Sequence, residues 1–175
     1  MNTVVRIKMS LAILMIGAFL FGHALVVFAQ DEVNACQAGQ PGEGGGVLIG
    51  LVDGRCLEAA PEAWASHEGA ELELADPLLG WPEAQRMVSE YRQTTGWDWR
   101  MPTLQELEAL FEARAKVPGL RMPAYYWSST QSSDGQLMLL EMFSGHIEPS
   151  REDDSQALRP VREVTEGWQP VDGGA

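Results

Sequence analysis

The chain has 175 residues, with 12 Lys and Arg against 25 Asp and Glu, a formal charge of −13. That length holds one domain with or without a tail, and at 45% hydrophobic residues it is neither a disordered polymer nor a fibrous repeat. The acidic balance argues against a nucleic-acid or heparin-type binder, which needs Lys and Arg to displace counterions from phosphate or sulfate.

Residues 1–29 read as a secretory signal peptide. Arg6 and Lys8 precede an apolar run from Met9 to Phe28, and Val27 and Ala29 suit the −3 and −1 positions of a cut after Ala29. The alternatives are an uncleaved anchor, since the run approaches the ~18–20 residues that span a bilayer, and a lipoprotein acylated at Cys36. The expectation is therefore an exported chain, periplasmic or extracellular. The first 29 residues carry two bases and no acid, so the remaining 146 carry 10 bases and 25 acids, a charge of −15. No second long apolar segment follows, and no membrane contact is expected beyond the leader.

Cys36 and Cys56 are the two cysteines. In an oxidising compartment they are expected to form one disulfide, worth about 3 kcal/mol for a loop of this length. Residues 30–46 are rich in Gly and Pro and read as a linker. Val47–Val52 is predicted as a strand, with Asp53-Gly54 as a hairpin turn and Arg55-Cys56-Leu57 as the returning partner. Residues 61–80 are acidic and read as a surface loop, with Ala63, Trp64, Leu72 and Leu74 as core contacts.

A helix follows. Pro82 suits its first turn, Ala84, Met87, Val88 and Tyr91 recur on one face, and Gly96 ends it. The second helix opens on a capping box, with Thr103 as N-cap and Glu106 three residues on; Leu104, Leu107, Leu110 and Phe111 form its apolar stripe. The remainder reads as strands over Tyr125–Thr130, Leu137–Phe143, from Ile147 onward, and over Leu158–Val164. Turns fall at Asp134-Gly135 and Ser144-Gly145, and residues 165–175 form a tail. Together this predicts an α+β domain over 47–164, two helices packed on a twisted antiparallel sheet.

Three segments carry a resemblance. Trp97-Asp98-Trp99-Arg100-Met101-Pro102-Thr103 with Glu106-Leu107, then Tyr126-Trp127-Ser128-Ser129-Thr130, then Arg159-Pro160-Val161-Arg162 occur in that order. This set, with Trp81 and Ala84 ahead of it, resembles the Lcl C-terminal domain family, named for a bacterial collagen-like adhesin. The motifs span about residues 81–164. The resemblance implies an exported bacterial module with a fold similar to the C-type-lectin-like and formylglycine-generating-enzyme-like folds. The oxidase chemistry of the latter needs Cys in the C-terminal half, and this chain has none after Cys56. Relatives often carry a cysteine pair at the positions of Val88 and Pro160, both absent here. The family's adhesin is associated with sulfated glycosaminoglycans; the charge of this chain is unsuited to that ligand.

The polar and aromatic motif residues admit two roles. Arg100, Arg159 and Arg162 suit either an anionic ligand or, more simply, structural carboxylates and carbonyls met by the planar guanidinium fork. Trp99 and Trp127 suit either a sugar face or the core beside Pro102. No G-x-S-x-G elbow surrounds Ser128, Ser129 and Thr130, and only His67 and His146 remain once His23 leaves with the leader. Glu152-Asp153-Asp154, Asp134 and Glu148 offer oxygen ligands for Ca²⁺ but lack a D-x-D-x-D-G loop, and such runs are usually solvated. No metal and no cofactor is expected. The expected function is an exported, non-enzymatic binding or structural module, adhesin-like, meeting a carbohydrate or protein through connections between residues 131 and 157. The alternatives are an envelope hydrolase built on His67 or His146, and an inner-membrane-tethered periplasmic accessory domain.

Overall fold

The computed structural model describes residues 36–66, 76–151 and 154–164. The expected leader or anchor, the tail at 165–175, and residues His67, Leu72, Leu74, Glu152 and Asp153 lie outside these; acylation at Cys36 is overturned, because its sulfur is bonded to Cys56 and has no valence left for a lipid thioether. Among the described residues no helix is long and apolar enough to cross a membrane.

Strand β1 (Val47–Val52) turns at Asp53-Gly54 into β2 (Arg55–Ala59). Asp53 has φ 50° and Gly54 φ 77°, the left-handed pair that a two-residue hairpin of matching twist requires. After a two-residue β3 (Leu78–Leu79) come helix α1 (Trp81–Thr95) and helix α2 (Leu104–Ala113), extended by a 3₁₀ turn to Lys116. Strands β4 (Tyr125–Gln131), β5 (Leu137–Glu141), β6 (Ile147–Ser150), β7 (Gln156–Ala157) and β8 (Val161–Glu163) complete the chain.

The helices begin and end where local chemistry dictates. Pro82 lies in the first turn of α1, and Gly96 closes it at φ 73° with its N–H bonded to the Arg92 carbonyl. In α2 the Thr103 hydroxyl accepts the Glu106 N–H while the Glu106 carboxylate accepts the Thr103 N–H. Leu107, Leu110 and Ala113 face inward from α2, and Ala84 and Val88 from α1.

The expected single antiparallel sheet is two sheets. One has the order β1-β2-β8 and is antiparallel; the other has the order β3-β7-β4-β5-β6, with β4 and β7 parallel at Tyr126 and Ala157. The expected strand over 158–164 divides accordingly. Residues 156–157 belong to the second sheet and 161–163 to the first, and Leu158-Arg159-Pro160 crosses between them, buried throughout. A buried crossing carries the same apolar signature as a buried strand, which is why the two read alike.

Two apolar clusters result. The first joins the β1-β2-β8 sheet to α2 and the second sheet through Leu57, Leu107, Leu110, Met142 and Val161. The second gathers Trp64, Ala84, Val88, Trp99, Trp127 and Leu158 beneath α1. Each large side chain so buried contributes about 1.5–3 kcal/mol relative to exposure.

The segment expected to be a linker is folded from Cys36 onward. The Cys36–Cys56 disulfide is formed, with a sequence separation of 20. Gly39 N–H bonds to the Leu48 carbonyl, Leu48 N–H to the Gln40 carbonyl, and Gly42 N–H to the Gly46 carbonyl. A Cβ on Gly46 would fall 1.9 Å from the Ala59 carbonyl oxygen, so the glycine permits a close backbone approach rather than flexibility.

Candidate functional site

The three motif segments meet through their polar side chains. Arg100 makes a bidentate pair with Glu106, both bonds at 2.7 Å. The capping acid of α2 therefore also anchors the chain just before it. Burial by itself would raise the Glu106 carboxyl, but the bonds from Arg100 and Thr103 outweigh it and hold the group below its ordinary value. The Pro102 carbonyl accepts both the Ser129 N–H at 2.7 Å and the Ser129 hydroxyl at 3.1 Å. Thr130 Oγ1 accepts the Leu104 N–H at 2.9 Å. Ser128 donates to the Met138 carbonyl at 2.7 Å, and Trp127 Nε1 to the Leu79 carbonyl at 2.7 Å. The Tyr-Trp-Ser-Ser-Thr strand thus stitches the α2 N-terminus to the second sheet.

Arg159 is wholly buried and fully partnered. Its Nε donates to Asp76 Oδ1 at 2.6 Å and its Nη2 to Asp76 Oδ2 at 3.2 Å, while Nη1 donates to the Ala60 carbonyl at 2.9 Å. The Tyr126 hydroxyl donates to the same Asp76, and Trp64 Nε1 lies 3.4 Å from it. Burial first, then the neighbouring Asp76 charge, raises the Tyr126 hydroxyl far above its ordinary value, so it stays a donor. Asp76 falls in the stretch read as a surface loop, yet it has no exposed surface. An isolated acid in an acidic stretch carries no sign of the arginine 83 residues away that buries it.

Arg162 has a different arrangement. It bonds to Glu58 at 3.2 Å and also to Glu43, and its guanidinium lies 4.3 Å from the Trp97 ring centroid. Glu58 in turn accepts the Gly44 N–H at 3.1 Å and the Gly46 N–H at 2.7 Å, so the Gly-rich turn is wrapped around a buried carboxylate. Burial raises the Glu58 carboxyl, and the glycine N–H bonds and Arg162 only partly offset this. Arg162 Nε and Trp99 Nε1 have no hydrogen-bond partner among the described residues.

Trp99 and Trp127 are 1% and 0% exposed, so neither presents a face to solvent. Trp97, two residues before Trp99, is only half-buried and lines a groove of about 590 Å³ with Ser89, Arg92, Gln93, Gly96 and Asp98. A second groove of about 710 Å³ runs between the β1–β2 turn and the start of α2, lined in part by Asp53, Gln105, Glu108 and Thr130. Both were missed in the sequence, because a groove is a property of neighbours in space.

The connections between 131 and 157 are built on short polar turns. Glu141 accepts the Phe143 N–H at 3.2 Å and both the N–H and hydroxyl of Ser144 at 2.6 Å. Burial by itself would raise the Glu141 carboxyl, but these bonds together more than reverse it. The turn holds Phe143 outward at 70% exposure. His146, on the same turn, is exposed and has Glu148 3.6 Å from Nε2. Asp134 bonds Ser132, and Asp154 bonds Ser150. Among the described residues no group of three or more His, Cys, Asp or Glu gathers as a metal site.

The sequence matches the family model of the Lcl C-terminal domain over residues 50–162. The chain belongs to this family. The match begins at Gly50 within β1, takes in the turn and β2 ahead of the motif segments, and closes at Arg162, whose partner Glu58 lies on β2. The Lcl C-terminal domain here is thus tied end to end by one buried ion pair. A comparison with curated proteins finds no match.

Proposed function

We propose that the protein is an exported, non-enzymatic binding module of the bacterial cell envelope, adhesin-like, on a C-type-lectin-like scaffold. It meets a carbohydrate or protein ligand through the connections between residues 131 and 157. One observation carries this reading: the polar side chains of the family motifs are engaged with one another and with the backbone. Arg100, Glu106, Ser128, Ser129, Thr130, Arg159 and Arg162 all have internal partners, so the motifs hold a scaffold and leave contact to the surface turns. The Cys36–Cys56 bridge supports an oxidising, exported setting. The turn that Glu141 braces supports a rigid aromatic anchor at Phe143, of the kind that dominates binding at an interface.

A glycan array and an envelope pull-down with the whole chain, run with and without calcium, test this. The expected result is a saturable ligand whose affinity falls at least about fivefold in Phe143→Ser. The variant's unfolding free energy is expected to stay within about 0.5 kcal/mol of the parent. Absence of any ligand in both screens overturns the reading.

A further inference from the structure

We propose that the groove at the C-terminal end of α1 is a neutral-saccharide subsite with Trp97 as its stacking platform. The inference is independent of the ligand met by residues 131–157, since the groove is formed by Ser89, Arg92, Gln93, Gly96, Trp97 and Asp98.

The volume of about 590 Å³ suits two or three sugar rings and lies within the range of small-ligand sites. Its chemistry is that of a sugar and of little else. A pyranose offers an apolar C–H face and a rim of hydroxyls that both donate and accept. An indole matches the face. Gln93 supplies a donor and an acceptor on one planar group, Asp98 an acceptor pair, Arg92 a donor fork and Ser89 a hydroxyl. The groove offers no aliphatic side chain, so a greasy ligand has nothing to bury against.

Charge selects among sugars. Arg92 and Asp98 form an ion pair at the rim, which leaves the groove locally neutral, and the chain as a whole carries −13. Sulfated or uronic polymers find no spare cation there. A neutral saccharide meets no such penalty.

The platform is also fixed before a ligand arrives. Arg162, itself 2% exposed, sits 4.3 Å from the Trp97 ring centroid and is held there by Glu58 and Glu43, so the indole is braced from the interior side. An ordered aromatic loses little rotamer freedom on binding. Beside it, Gly96 closes the helix at φ 73°, and a Cβ there would meet no atom within 4 Å, so the floor next to the indole is open.

The test titrates the whole chain, as the host processes it, with chitotetraose, cellotetraose and maltotetraose, and with heparin as the anionic arm. Two-dimensional NMR of the indole N–H signals reads the site. The expected result is a saturable shift of the Trp97 signal with at least one neutral tetrasaccharide and none with heparin. Affinity is expected to fall about tenfold in Trp97→Ala and severalfold in Gln93→Ala and Asp98→Ala, with Trp97→Phe intermediate. Gln93 and Asp98 are exposed, so their variants keep the test informative should Trp97→Ala unfold. No response to any neutral sugar up to about 10 mM overturns the proposal. So does binding whose affinity is unchanged in Gln93→Ala and Asp98→Ala, and so does preferential binding of heparin. None of these outcomes bears on a ligand met at Phe143.

Discussion

Arg159 and Arg162 stand three residues apart on one segment, both buried, and they do different things. Arg159 faces a single carboxylate, Asp76, and donates to the Ala60 and Pro118 carbonyls besides. Arg162 is shared between Glu58 and Glu43, has no acceptor for its Nε among the described residues, and stacks on Trp97. The first is a closed lock in which every charge is answered once. The second is a junction, with two acids on one base, adjoining a surface groove. The lesson is that buried arginines of one motif need not be energetically equivalent. What matters is how the partner left behind is still bonded.

The largest expected effect tests that difference. Arg159→Ala leaves Asp76 as an uncompensated buried anion and is expected to cost about 3–5 kcal/mol. Arg162→Ala is expected to cost less, roughly 1–3 kcal/mol, because burial already raises the Glu58 carboxyl, which eases uptake of a proton once Arg162 is gone, and the Gly44 and Gly46 N–H groups still bond it. Urea unfolding midpoints of the two variants decide it; equal losses, or a larger loss for Arg162→Ala, would break the distinction.

Next in size is the disulfide. The paired substitution Cys36→Ala with Cys56→Ala is expected to remove about 3 kcal/mol. The loss should be felt first around Arg162, since the bridge ties down the turn that carries Glu43, Gly44 and Gly46. Amide exchange at Gly44 and Gly46 should accelerate before exchange near Asp76. Uniform acceleration across both regions would show that the bridge does not act locally.

The smallest effect is in pH dependence, and its sign separates two acids. Glu58 is raised from 4.5 in the folded protein, so the stability it lends is full below the ordinary carboxylate range and is lost as pH rises through its folded value. Glu106 is lowered from 4.5, so its contribution is present above that range and is lost as pH falls through its folded value. Glu58→Gln should flatten the decline of stability above about pH 4.5, and Glu106→Gln the decline below it. Glu106→Gln should also cost about 1–2 kcal/mol near neutral pH through the cap and the Arg100 pair. Unfolding free energies measured from pH 3 to 8 check both; slopes of the same sign for the two variants would refute the assignment.

Much of the local structure was legible beforehand. The capping box at Thr103 and Glu106, the Asp53-Gly54 hairpin and the Gly96 helix stop are written within a few residues, and they appear where those residues stand. The disulfide followed from there being two cysteines. The interior charges were not legible. Asp76 and Glu58 look like any surface acid, and their arginines lie 83 and 104 residues away. The Gly-rich segment reads as a linker, yet from Cys36 onward it is folded, because glycine serves both a flexible tether and a tight turn around a carboxylate. Trp97 and Trp99 are nearly neighbours in one motif, and nothing in their order says which faces water.

Alone, the amino-acid order settled where helices start and stop, where the hairpin turns, and which family the ordered motifs evoke, because those features rest on hydrogen bonds and apolar spacing spanning a few positions. The folded molecule decided which carboxylates are buried, how the C-terminal segment divides between two sheets, and which tryptophan lines a groove. Those outcomes depend on desolvation and ion pairing between residues brought together across nearly the whole domain, and such energies exist only once the chain has closed on itself.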